Sequence, residues 1–252
     1  MEDHVGMSRS TIAALLLSVC IGADLLCAPA RATTNSGTSI ELFNPHASRR
    51  IPLRLYHPGS RRPLAVLLPG VGAQPGDYSF LAKYLARRGF AVAEVRLELP
   101  GDSPIAAGGN IAALRAPELR SGVNTVRYTI GQLDRLRYAS ATRPVVLVGH
   151  SNGGDVAMLF GSQYPAQVGV IFSLDNLRVA IPRTSRPHIC SLRSSDQEPD
   201  KGVVPDAEQR RRFNVHIQAT KIRHDQMWNG ATIAQRSLML TALSRCLNHR
   251  MH

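Results

Sequence analysis

Aromatic side chains are scarce in this chain: one Trp, six Tyr and six Phe make up 5% of 252 residues. No basic platform interleaved with aromatics can be assembled from so few, and no recognition motif accompanies the basic residues, so nucleic-acid binding is excluded despite a net charge of +12. Acidic residues are also few, 18 against 30 Lys+Arg. Charged residues reach only 19% beside 44% hydrophobic ones, which rules out a disordered polyelectrolyte. The 20 Gly and 16 Pro follow no period, so the chain is neither collagen-like nor a linker. His and Cys lack metal-ligand spacing, and neither a metal nor a cofactor is expected. At this length the chain can bury a substantial core, as one large domain or two small ones.

Long apolar runs are missing too, with one partial exception. Ile12–Leu26 is apolar but short and interrupted by Asp24, so it does not read as a membrane span. Arg9 precedes it and Ala30-Arg31-Ala32 follows with the small-x-small pattern of a cleavage site. Residues 1–32 are therefore expected to be a secretory signal, and the product to be periplasmic or secreted after cleavage near Ala32. The mature chain would keep 28 basic and 15 acidic residues and two cysteines, Cys190 and Cys246. An oxidising compartment would permit a disulfide between them, while the apolar run around Cys190 equally suits a small buried thiol.

Beyond residue 33 strand-like and helix-like stretches alternate. Ser39–Phe43 and Arg50–Tyr56 flank a turn and read as a hairpin. Pro63–Pro69 is a continuous apolar run suited to a strand buried on both faces. Asp77–Gly89 reads as a helix with Asp77 as N-cap and Gly89 just past its end. Strands are expected at Phe90–Leu97, Val145–Gly149, Val168–Leu174, Ile189–Leu192 and Val215–Ala219. Helices are expected over 119–137, 153–163 and 232–248. This order predicts one α/β domain over 33–252, a three-layer α/β/α sandwich with a mostly parallel sheet and an N-terminal antiparallel hairpin. Only eleven residues, Asn176 to Arg186, separate two of the strands, which leaves no room for a large cap domain.

One motif carries chemistry. Gly149-His150-Ser151-Asn152-Gly153 has the form G-x-S-x-G, preceded by the strand VVLVG and followed by a helical run. The serine of such a motif stands on a sharp strand-to-helix turn that only small neighbours permit. A nucleophilic serine needs a base, an acid to orient that base, and donors for the oxyanion. In chains of this kind the acid and then the base follow the serine. His224 lies just past Val215–Ala219, at the strand edge where parallel sheets carry their sites, and is the expected base. Two carboxylates satisfy the order, Asp196 and Asp175. Asp196 is preferred, because an acid in a loop reaches a loop base more freely than one at a strand edge. The oxyanion donors are expected to be the backbone N–H groups of Asn152 and of Val71, in the glycine-flanked turn Pro69–Ala73. The long irregular segment Leu99–Gly122, with Arg115, Glu118 and Arg120, is expected to form one wall.

These segments together resemble the α/β-hydrolase superfamily from about residue 39 to the end. Within it the chain resembles the secreted, lidless branch that includes platelet-activating-factor acetylhydrolases and dienelactone hydrolase-like esterases. The resemblance is carried by the Arg49–Pro58 hairpin, PGVGAQPGDYSFLAKYLARRGFAVAEV, VGHSNGGD, SLDNLRVAIP and RHDQMWNG. Pro69 departs from it, since relatives usually carry His there. It implies an α/β-hydrolase fold and a Ser-His-Asp serine esterase. In the acetylhydrolases the acid resembles the Asp175 position, in cutinase-like relatives that of Asp196, so the resemblance leaves both open.

The expected activity is hydrolysis of carboxylic esters, small or lipid-borne, through an acyl-enzyme. A peptidase or other acyl-transfer enzyme on the same three residues, and a non-catalytic envelope-binding protein with this fold, are the alternatives. The basic groups Arg49-Arg50, Arg61-Arg62, Arg87-Arg88 and Arg210-Arg211-Arg212 are scattered. They suit a solvated face, or contact with an anionic membrane or envelope polymer.

Overall fold

The computed structural model describes residues 37–99, 102, 105 and 111–248. The expected export segment over 1–32, and two C-terminal histidines, His249 and His252, lie outside the described residues.

The β-branched and leucine-rich runs form an eight-stranded sheet. In chain order the strands are β1 Thr38–Asn44, β2 Arg49–Tyr56, β3 Leu64–Leu68, β4 Ala91–Val95, β5 Val145–His150, β6 Val168–Leu174, β7 His188–Arg193 and β8 Val215–Ala219. Their order across the sheet is β1-β2-β4-β3-β5-β6-β7-β8. β1 pairs antiparallel with β2 and β2 antiparallel with β4, while every pairing from β4 to β8 is parallel. The fold is thus the three-layer α/β sandwich expected, with its N-terminal hairpin at one edge.

Strand alternation divides the core between two faces. On one face Leu64, Val66, Leu68, Val145 and Leu147 pack with Val123, Val126 and Val156 from helices α2 (Ile111–Arg135) and α3 (Asn152–Gln163). On the other, Ala65, Leu67, Val146 and Val148 meet Leu81, Leu85 and Leu243 from α1 (Ser79–Arg87) and α5 (Ile233–Asn248). Each fully buried leucine in these layers contributes about 2 kcal/mol of transfer free energy. A strand buried on both faces needs no polar alternation, which is why β3 and β5 read as unbroken apolar runs.

Local chemistry departs from expectation in three places. Asp77 does not cap α1. Its carboxylate accepts from Gln74 N–H at 2.7 Å and closes the preceding turn, while Tyr78 occupies the cap position without a side-chain capping bond. Helix α2 begins earlier than residue 119 and runs through Pro117. A further helix, α4 (Ala207–Phe213), carries no apolar stripe to announce it and forms on its cap chemistry. Asp206 Oδ1 accepts from Gln209 N–H at 2.8 Å, and the Gln209 side chain accepts from Asp206 N–H in return. Arg210, Arg211 and Arg212 fall in its last turn, where positive charge complements the helix dipole.

Cys190 of β7 and Cys246 of α5 are joined by a disulfide across 56 residues. It ties the C-terminal helix to the sheet. In the chain-entropy picture a loop of that length contributes about 4 kcal/mol by restricting the unfolded state. Replacing both cysteines with Ala should lower the free energy of unfolding measured by denaturant by an amount of that order, and adding a thiol reductant to the parent protein should have the same effect. Coincident unfolding curves for parent and variant would refute the staple.

Candidate active site

β5 ends in the centre of the sheet, and the chain turns at once into α3. Ser151 stands on that turn with φ 52° and ψ −119°, a backbone conformation that non-glycine residues rarely adopt. Two glycines make the turn possible. A Cβ on Gly149 would lie 2.3 Å from the Gly153 carbonyl oxygen, and one on Gly153 would lie 2.0 Å from the Leu68 carbonyl oxygen at the end of β3. The turn is pinned from the side by Ser151 N–H donating to the Leu174 carbonyl at 2.9 Å.

Ser151 Oγ lies 2.9 Å from His224 Nε2. The other nitrogen of that ring, Nδ1, lies 2.7 Å from Asp175 Oδ2. Asp175 is fully buried, just past the end of β6 and beside β5, the strand that leads to Ser151, with φ 59°. Burial alone would raise its pKa. Hydrogen bonds from His224 and Ser194 and the Arg193 guanidinium outweigh that, and the carboxyl is held below the usual range. Ser194 N–H donates to Oδ1 at 3.1 Å. Arg193 Nη2 stands 2.9 Å from the same oxygen, an ion pair too poorly aligned for a hydrogen bond.

Asp196, preferred from sequence as the acid, is not at the ring. Its Oδ1 accepts from the backbone N–H of His224 at 2.7 Å, and Oδ2 pairs with Arg223 at 3.5 Å. The freedom attributed to a loop carboxylate is real but is used on the histidine's backbone. The left-handed backbone of Asp175 turns a strand-edge carboxylate inward to the position a loop residue was expected to fill.

The expected oxyanion donors are both available. Gly70 N–H donates to Tyr78 Oη and Gly72 N–H to Glu98 Oε2, while the Val71 N–H between them makes no hydrogen bond among the described residues. Asn152 N–H, at the first position of α3, is likewise unspent. The Asn152 side chain is fixed by Arg115, which donates to Oδ1, and by Glu118, which accepts from Nδ2 at 2.6 Å. Arg115 is only 8% exposed, so of the expected wall segment this residue supports the turn beside the serine rather than facing substrate.

Four residues with no part in the sequence reading of the site hold it together. His150 donates from Nε2 to the His224 carbonyl at 3.1 Å and accepts at Nδ1 from Tyr78 O–H at 2.6 Å. Its ring lies against that of His224, with centroids 4.8 Å apart. Burial and the neighbouring His224 push its pKa down to about 3, so it is a neutral spacer. Tyr78 is held in turn by Glu94, a fully buried carboxylate in β4 that accepts from Tyr78 N–H at 2.8 Å and from Tyr56 O–H at 3.1 Å. Burial raises the pKa of Glu94. The fourth, Arg193, lies behind Asp175. A carboxylate in the otherwise apolar strand AVAEV, and a histidine beside the serine, were the signals that could have found this network.

The cleft at the serine is open and has a volume of about 470 Å³. Gly70 to Ala73, Tyr78, Ser151, His224 and Trp228 line it, with Asp77 and Asp225.

Comparison with known proteins follows this geometry. Residues 59–186 match the family model described as Hydrolase_4: Serine aminopeptidase, S33. No curated relative matches the chain. Among solved structures, Est1E from Butyrivibrio proteoclasticus is similar with a TM-score of 0.59 at 11% identity, over 86% of this chain and 99% of that one. The esterase Est22 is similar with a TM-score of 0.58 at 15% identity, over 86% and 80% of the two chains. An α/β-hydrolase from a Medee basin deep-sea metagenome library, MGS-M1, gives 0.58 at 10% identity, over 86% and 100%. The matched family model spans half of the chain, including the serine turn, and the chain belongs to this family of the α/β-hydrolase superfamily.

Proposed function

We propose that the protein is a serine esterase in which Ser151 is the nucleophile, His224 the general base and Asp175 the orienting acid. The observation that carries this is the unbroken contact from Ser151 Oγ to His224 Nε2, 2.9 Å, and from Nδ1 to Asp175, 2.7 Å. His224 takes the Ser151 proton as Oγ bonds to the ester carbonyl carbon. The oxyanion that forms is received by Val71 N–H and Asn152 N–H, where the N-terminus of α3 adds its positive dipole end. The imidazolium then protonates the alcohol oxygen as the C–O bond breaks. Water attacks the acyl-enzyme, giving its proton to His224, which returns it to Ser151 as the acid departs. Asp175 stays ionised throughout and keeps Nδ1 protonated, so Nε2 is free to accept.

Esters rather than amides are favoured by the open cleft: Val71 is 54% exposed and Trp228 41% exposed, so little holds an extended peptide on both sides of the serine. The short chain between β6 and β7, with no helix in it, supports placing the protein near the lidless acetylhydrolase-like branch. We also propose export, on the strength of the Ile12–Leu26 run, the Ala30-Arg31-Ala32 site and the Cys190–Cys246 disulfide.

Tyr78 matters to this reading because one hydroxyl serves both halves of the site. It accepts from Gly70 N–H in the oxyanion turn at 3.3 Å and donates to His150, which bears on the base. Removing it leaves two buried groups unsatisfied, at about 1–3 kcal/mol each. Tyr78→Phe should therefore lower both the melting temperature and kcat; a variant with parent stability and parent kcat would show that the hydroxyl positions nothing.

A fluorophosphonate probe should label the parent protein and leave Ser151→Ala unlabelled, with ester turnover reduced by roughly 10⁶-fold. The two aspartates separate cleanly. Asp175→Asn should cost roughly 10³- to 10⁴-fold in kcat, since an amide cannot hold the required tautomer. Asp196→Asn keeps an acceptor for His224 N–H and should cost less than about tenfold. Equal losses in the two variants would remove Asp175 from the role.

A further inference from the structure

Trp228 is the only tryptophan of the chain and stands in the wall of the cleft with 41% of its surface exposed. An exposed indole is ordinarily mobile, but this one is fastened. Its Nε1–H donates to the Asp225 carbonyl at 2.9 Å. Gly230 is packed on it so closely that a Cβ there would lie 2.8 Å from the ring. The polar edge is thus satisfied internally, and what the ring offers the cleft is apolar surface.

Three further observations say what that surface meets. Trp228 follows the base His224 by four residues, in the same loop, and the base is the group that delivers a proton to the departing alcohol. The loop that carries the base therefore also walls the cleft, with Asp225 and Trp228 in its lining. Among the described residues no Lys or Arg lines the cleft, so an anionic substituent would find no cation in its lining. Its two carboxylates are already engaged, Asp77 with Gln74 N–H at 2.7 Å and Asp225 with Arg223 at 3.2 Å.

We infer that Trp228 is a preformed stacking platform for the alcohol part of the substrate, and that this part is flat, apolar and uncharged, as in an aryl ester. The inference rests on the esterase reading above. The ring stacks on the aryl group while Ser151 acylates, and the arenol leaves with the proton from His224.

The test compares phenyl and methyl esters of one acid. Both give the same acyl-enzyme, so deacylation is common to them and any difference lies in kcat/KM. Trp228→Ala should lower the phenyl-over-methyl preference by roughly 3- to 10-fold, while Trp228→Phe should retain most of it. An unchanged preference in Trp228→Ala, in protein still labelled at Ser151 by fluorophosphonate, overturns the platform and leaves the esterase reading standing. The single tryptophan gives a second readout that needs no turnover. In Ser151→Ala, phenyl acetate should quench and shift indole fluorescence at concentrations where methyl acetate does not. If the parent protein is not labelled at Ser151, the esterase reading fails, and this titration still decides: an indole indifferent to phenyl acetate overturns the platform as well.

Discussion

The site depends on one steric constraint, the passage of the chain from β5 into α3 through Gly149 and Gly153. At both glycines carbonyl oxygens occupy the space a side chain would need, one from the turn itself and one from Leu68 at the end of the neighbouring strand. Contact this close presses the end of β3 against the start of α3. That sets the Gly70–Ala73 turn after β3 against the start of α3, and both the turn and Ser151 line the cleft. The strain of a serine at φ 52° is borne by the pairing of β5 with β3 and β6 on either side.

Buried carboxylates do the rest of the positioning, and each is balanced by N–H donors. Asp175 receives Ser194 N–H and the His224 ring, Glu94 receives Tyr78 N–H, and Asp155 receives the N–H groups of Arg178 and Val179 at 2.9 and 2.8 Å. A buried charge without such partners would cost several kcal/mol. With them, each acid fastens a loop to the sheet. Asp175 ties the β7 end to His224, Glu94 ties the turn before α1 to β4, and Asp155 ties the connection after β6 to α3. All three sit at or near the carboxyl edge of the parallel strands, where loops of different sequence origin must meet.

The sheet and most of its helices were legible because burial on both faces leaves a blunt signature: Leu64–Leu68 and Val145–Gly149 carry no polar residue to misplace. The strand-turn-helix context around Ser151 was legible for the same reason, whereas His224 was found by its place in the loop after β8, a largely exposed edge strand. The choice between Asp196 and Asp175 was not legible, because both follow the C-terminal end of a strand and both reach His224, one through its backbone and one through its ring. What separates them is a backbone torsion, φ 59° at Asp175, and a non-glycine residue gives no sign of that in its identity. Helix α4 was invisible for a different reason. It has no apolar stripe, and its reciprocal cap between Asp206 and Gln209 is a pair of ordinary polar residues until the fold brings them together.

Net charge takes on a different meaning once the cleft is seen. The chain carries +12, yet among the described residues no Lys or Arg lines the cleft at Ser151. At physiological ionic strength a charge is screened over about 8 Å, so scattered arginines act mainly on what lies beside them. Several have local tasks: Arg193 stands on Asp175, Arg115 holds Asn152, and Arg210 to Arg212 complement the end of α4. The arginine excess therefore supports the framework and the outer surface, while the reacting atoms sit among neutral groups and two engaged aspartates. Under the esterase reading proposed above, the absence of a cation in the lining leaves the developing oxyanion to the Val71 and Asn152 N–H groups.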